Sequence, residues 1–173
     1  MPPQQIRQLL LSILLLSTLL SGTISAAEIV TLDVVDSTPD LPRHDHQLIF
    51  PLKDGKLLLV WSEYYRTPET SPGPQRDNMP CRIAAMESSD QGRTWTERRV
   101  LQPNIGKYNV KHPNLTRLPD GEVLLFFTAW NSMQDRTVYM RRSSDDCQTW
   151  SEPIKVSTLP GINNINNDHV SIL

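Results

Sequence analysis

His46-Gln-Leu-Ile-Phe-Pro-Leu52-Lys-Asp54-Gly55-Lys-Leu-Leu-Leu-Val60-Trp61 aligns without a gap on His112-Pro-Asn-Leu-Thr-Arg-Leu118-Pro-Asp120-Gly121-Glu-Val-Leu-Leu-Phe126-Phe127. In both stretches Asp-Gly lies eight and nine residues past the histidine. Asp-Gly between two apolar runs signals a β-hairpin, because the central residues of a tight turn need positive φ. Each stretch therefore predicts two strands, A and B, around an Asp-Gly turn.

A second hairpin follows each first one. Ile83-Ala-Ala-Met-Glu87 leads into Ser88-Ser-Asp90-Gln-Gly92-Arg-Thr94-Trp95 and then Glu97-Arg-Arg-Val-Leu101. Its counterpart runs Val138-Tyr-Met-Arg-Arg142, Ser143-Ser-Asp145-Asp-Cys147-Gln-Thr149-Trp150, Glu152-Pro-Ile-Lys-Val156. These are strands C and D. The two tryptophans stand 55 residues apart and the two histidines 66. Asn166-Asn167-Asp168-His169-Val-Ser-Ile-Leu173 begins a third copy, with His169 in the place of His46 and His112. Four antiparallel strands repeating at this period are the mark of a propeller blade. The expected fold is all-β: a partial β-propeller of two four-stranded blades and the start of a third. No long 3.6-residue apolar period follows Glu28, so helices should be scarce.

Ser-x-Asp-x-Gly-x-Thr-Trp, residues 88 to 95, resembles the Asp-box, or BNR repeat, of sialidases. The turn explains its residues: Gly92 can be left-handed, Ser88 and Asp90 can cap backbone N–H groups, and Trp95 can pack beneath the hairpin. The second box keeps Ser143, Asp145, Thr149 and Trp150 but has Cys147 for the glycine. That bears on the turn geometry, not on the register. The box itself is a folding element of catalytic and non-catalytic propellers alike. Over residues 40 to 173 the chain is similar to secreted bacterial sialidase-like proteins of the exo-alpha-sialidase type. Their Asn-Asn-Asp-Arg segment here reads Asn166-Asn167-Asp168-His169, without the arginine.

Connectivity sorts the loops. If strand A descends, both Asp-Gly turns and both boxes lie at one end of the blades. The other end gathers the long polar segments 43–46, 64–80, 103–112, 130–136 and 159–169, where function tends to sit on a rigid scaffold. The resemblance implies an arginine for the carboxylate of sialic acid, which guanidinium matches with paired hydrogen bonds; Arg43 corresponds to it. It also implies an aspartate acid/base about eleven residues before the first box, and Asp77 precedes Ser88 by eleven. The B–C loop carrying Asp77 is eleven residues longer than its counterpart in the second blade. To donate a proton, Asp77 would need a raised pKa.

Glu63 and Arg66 resemble the family's Glu-Ala-Arg stretch, lengthened here by one residue. Asp45, His46, His112, Asn167, Asp168 and His169 complete the candidate substrate contacts. Three histidines at equivalent strand starts leave two readings open, a metal cluster about the axis or hydrogen-bonded structure and substrate contacts; we assign no metal and no cofactor. The family's tyrosine nucleophile, its activating glutamate and two further arginines lie in later blades. Six blades would need roughly 340 residues at this period, so the chain is expected to be the N-terminal part of such a protein and inactive alone. The expected substrate is a sialoside or another glycan. A non-catalytic glycan-binding or interaction propeller, or an enzyme for another acidic sugar, remains as an alternative.

Residues 1–27 read differently. Arg7 precedes the leucine-rich run Leu9–Leu20, and Ser25-Ala26-Ala27 ends it. A weakly positive start, a short apolar core and small residues describe a secretory signal peptide, with cleavage before Glu28. The run is shorter than the ~20 residues that span a bilayer, so no membrane anchor is expected after cleavage, and the product should be secreted or periplasmic. Without Arg7 the remainder carries 16 Lys+Arg against 19 Asp+Glu. A net charge of −3 without basic clusters argues against a nucleic-acid surface. Cys81 and Cys147 fall at opposite ends of neighbouring blades, beyond the ~7 Å that a disulfide tolerates.

Overall fold

A computed structural model describes residues 29–70, 73, 76–166 and 170. Residues 1–28, which include the expected signal peptide, and Asn167, Asp168 and His169 lie outside the described residues. The chain divides into Met1–Leu32, of which Ile29–Leu32 are described and carry no regular structure, and Asp33–Leu173, which holds the sheets.

Asp33–Leu173 is all-β. The strands are β1 Arg43–Pro51, β2 Leu57–Tyr64, β3 Cys81–Ser88 and β4 Arg99–Gln102, then β5 Asn109–Arg117, β6 Val123–Trp130, β7 Arg136–Ser143 and β8 Ile154–Lys155. They form two four-stranded antiparallel sheets, each in chain order. The described helix is one 3-10 turn, Pro68–Thr70. Among the described residues no helix is long and apolar enough to cross a membrane.

Apolar alternation along β2 assigns the two faces of the first sheet, since strand side chains point to opposite sides in turn. Leu58 and Val60 face the second sheet and join Ile83, Ala85 and Leu101 against Val110, Val123, Leu125, Phe127 and Ala129. Leu59 and Trp61 face the other way, under Val34, Val35, Met86 and Trp95. One core thus joins the sheets, and the segment before β1 covers the far face.

The Asp-Gly turns differ from the expected two-residue form. Only their glycines have positive φ, 83° at Gly55 and 90° at Gly121. Leu52 accepts from the Gly55 N–H and donates to Lys56, and Leu118 does the same with Gly121 and Glu122. This is the three-residue hairpin loop with a left-handed glycine at its bulge. Lys53 and Pro119 thereby enter the loop, and one positive φ suffices.

The serine–aspartate turns are built alike. Ser88 Oγ takes the Gly92 N–H at 2.8 Å, and Asp90 takes the Thr94 N–H at 2.8 Å and its hydroxyl. Ser143 Oγ takes the Cys147 N–H at 2.9 Å, and Asp145 takes the Thr149 N–H at 2.8 Å. Hydrogen bonds from Thr94 and Thr149 hold both carboxyls down to about 2. Cys147 keeps the glycine geometry with φ 74°. A side chain at such a φ costs roughly 1 kcal/mol; burial of the thiol in the shared core offsets it. Both cysteines are free, one at each end of the sheets.

Candidate functional site

Strand pairing puts the two Asp-Gly turns and the two serine–aspartate turns at one end. Leu57 faces Ser88, and Val123 faces Ser143. The opposite end carries Arg43, Tyr64 and Cys81 on one rung, and Asn109, Trp130 and Arg136 on another. Strands β1 and β5 begin three residues before the histidines with which the repeat opens. The segments around residues 43–46 and 109–112, expected in loops, are strand.

The reason is a matched pair of bulges. Between Asp45 and Leu48, and again between Lys111 and Asn114, two residues oppose one on the partner strand. His46 and His112 sit in these bulges with φ of 54° and 61°. Bulges re-aim side chains and recur beside functional sites. Here they bring the two imidazoles edge to face, with ring centroids 4.2 Å apart.

Around them runs a chain of charged contacts. Arg43 donates to Asp77 at 2.8 Å and pairs with Asp45 at 2.7 Å; Asp45 also meets His46 Nδ1 at 2.7 Å. His112 Nδ1 lies 3.1 Å from the Asn164 side-chain oxygen, and the His112 backbone N–H donates to Ser62 Oγ at 3.2 Å. The Arg43 guanidinium rests 4.5 Å over the Tyr64 ring. Asn109 clamps the loop by donating to the backbone oxygens of Asp77 at 2.6 Å and Met79 at 3.0 Å. Of the residues singled out in sequence, Arg43, Asp45, His46, Asp77 and His112 come together.

Two do not. Glu63 is fully buried on the opposite face of β2 from Tyr64, as period-two alternation demands. One of its oxygens meets Arg82 at 2.7 Å and the other Arg98 at 3.0 Å. The expected ligand contact is corrected to a structural ion pair. Arg66 donates to the carbonyls of Thr70 and Gly73, each at 2.7 Å, so its guanidinium is engaged there rather than in the cluster.

Sequence reasoning missed Tyr64, Asn109, Lys111, Trp130 and Arg136. Lys111 is buried, with its ammonium 3.6 Å from the Trp130 ring centroid, while the Arg136 guanidinium stacks on the same ring at 3.4 Å. The usable signal was the lysine before His112, which matches the aspartate before His46.

Electrostatics sort the roles. The Arg43 hydrogen bond holds the Asp77 carboxyl below the usual range, so in the free protein it is a carboxylate, not a proton donor. Burial pushes Asp45 up, but His46 and Arg43 outweigh it and leave it low. Burial, reinforced by His46 and Lys111, takes His112 down to about 3. A base that resists protonation when folded destabilises the fold in acid. Its contribution is present above the unfolded value of 6.5 and is lost as pH falls toward 3. A His112→Gln variant should therefore show a flatter fall of melting temperature between pH 6.5 and 3, measured by thermal melts in a buffer series. An unchanged slope would exclude a neutral buried His112.

Among the described residues, no group of three or more His, Cys, Asp or Glu is placed to hold a metal. A cleft of about 310 Å³ lies along β1 and β5, lined by Leu48, Phe50, Asn114 and Leu115 among others.

By sequence, no known protein family matches the chain, and no curated protein does. Among solved structures, the fold is similar to that of a Dyadobacter fermentans DSM 18053 protein of unknown function. That match has a TM-score of 0.57 and 18% identity, over 70% of this chain and 38% of that one. A Hadza microbial sialidase superposes with a TM-score of 0.48 and 18% identity, over 65% of this chain and 25% of that one. The chain thus spans well under half the length of either.

Proposed function

We propose that the chain is part of an exported sialidase-like β-propeller whose Arg43 end takes the carboxylate of an acidic sugar, in a glycoside hydrolase of the exo-alpha-sialidase type. The observation that carries this reading is the 2.8 Å contact between Arg43 and Asp77. These residues lie 34 positions apart, and the sialidase resemblance implies the roles of carboxylate binder for Arg43 and acid/base for Asp77. Two like-built sheets with all box turns at the far end support the blade reading.

A second reading has an observation of its own. Asp77 is held ionised by Arg43, whereas glycoside cleavage needs a protonated acid at the leaving oxygen. An unaltered Arg43–Asp77 pair suits a glycan-binding module, and hydrolysis requires that the ligand draw Arg43 away.

Hydrolysis of a 4-methylumbelliferyl sialoside by the longer protein tests both readings. Loss of a general acid costs ~10²–10⁴-fold, so Asp77→Ala should lower kcat by at least about 100-fold. Binding with no turnover in the longer protein would assign the binding module. Turnover that ignores Asp77→Ala would remove Asp77 from catalysis, and no affinity for the sialoside would end the acidic-sugar reading.

A further inference from the structure

One cation in this cluster has no role in the reading above. Lys111 is 2% exposed. Its ammonium donates to the Tyr64 hydroxyl at 3.2 Å and lies against the Trp130 ring. Among the described residues no carboxylate stands within ion-pair distance of it. A phenol oxygen and an indole face compensate a buried ammonium poorly, since buried charges are normally paired. Burial accordingly pulls the amine below its usual range, opposed chiefly by the charges of Asp77 and Asp45.

Those two carboxylates differ. Asp45 is 22% exposed and pinned by both Arg43 and His46; Asp77 is 56% exposed with Arg43 as its ion-pair partner. The Asp77 backbone is fastened separately by Asn109. Its side chain can therefore rotate off Arg43 while the loop stays in place. Arg43 and Lys111 would then flank Tyr64 with less negative charge than they hold now, Arg43 over the ring and Lys111 at the hydroxyl.

We propose that Lys111 is the second cation of this anion site, and that the Asp77 carboxylate holds the place beside Arg43 that the ligand's carboxylate takes. The inference rests on the acidic-sugar reading. It makes Asp77 a built-in competitor, released from Arg43 by the ligand it is meant to meet. The groups around Lys111 are Arg43 and Asp45 from β1, Tyr64 from β2, Cys81 from β3, Asp77 from the loop, His112 on its own strand, and Arg136 across Trp130. Burial raises both the Tyr64 phenol and the Cys81 thiol. Lys111 is thus the group to lose charge first as the solution turns alkaline.

Calorimetric titration of the protein with the methyl α-glycoside of N-acetylneuraminic acid tests this, with D-glucuronate as a second probe. Lys111→Met should weaken sialoside binding by about tenfold or more. Asp77→Asn should tighten it roughly threefold to tenfold, because a partly exposed competing pair is removed. Affinity of the parent should fall as pH rises toward the lysine range, and Lys111→Arg should bind but flatten that limb. A folded Lys111→Met variant that binds like the parent overturns the inference. Should that variant not fold, an alkaline limb unchanged in Lys111→Arg overturns it equally. Glucuronate binding that needs Lys111, with no sialoside binding, sustains the inference and ends the sialic-acid reading. Binding of neither probe ends both.

Discussion

Glu63→Ala is expected to destabilise the protein by about 3 kcal/mol, read as a lowered urea midpoint with an unchanged m-value. Removing one partner of a buried ion pair typically costs ~3–5 kcal/mol, because the other charge is left uncompensated. Here the carboxylate is fully buried, but the Arg82 and Arg98 side chains keep 28% and 38% of their exposure. Both can turn toward water, which puts the loss at the low end. Glu63→Gln, which keeps the volume and one acceptor, should lose less. A ligand-contacting glutamate would behave in reverse, with stability kept and sialoside affinity lost. That outcome would undo the placement of Glu63 on the far face of β2.

Phe127→Ala is expected to be the most damaging single change in the shared core. The ring is fully buried and stacks on Tyr139 with centroids 5.9 Å apart. It sits among residues of both sheets. Truncating such a phenylalanine costs ~3–5 kcal/mol, through lost transfer free energy and the cavity left behind. That is a large share of the ~5–15 kcal/mol that a domain has in total. Phe126→Ala makes the control, because Phe126 alternates to the other face and is only half-buried. Chemical denaturation of the pair should separate them by at least about 1 kcal/mol. Equal losses would mean that the sheets do not share the core assigned to them.

Much of the site was legible in part. Asp77 was singled out by its spacing to the Ser88 turn, Arg43 by its likeness to the strand-A arginine of the resembling family, and the histidines by the repeat; the structure brings these residues together. Glu63 and Arg66 were misplaced because a motif read along the chain ignores which face of a strand each residue takes. The pairing of Glu63 with Arg82 follows directly from their facing positions in β2 and β3. The bulges were invisible, since nothing in His46-Gln47 or His112-Pro113 announces that two residues will oppose one. For that reason the strands seemed to begin at the histidines, and Asn109 and Lys111 were read as loop.

What the sequence determined alone is the phase of the hairpins. Asp-Gly and Ser-x-Asp turns act locally, through a left-handed glycine and side-chain caps, so they set which loops share an end whatever else the chain does. Which charges meet was decided only by tertiary structure. Lys111 reaches Tyr64, and His46 reaches His112, because the apolar faces of two sheets pack at a particular lateral offset. That offset comes from contacts between residues more than 40 positions apart, which no short-range pattern encodes.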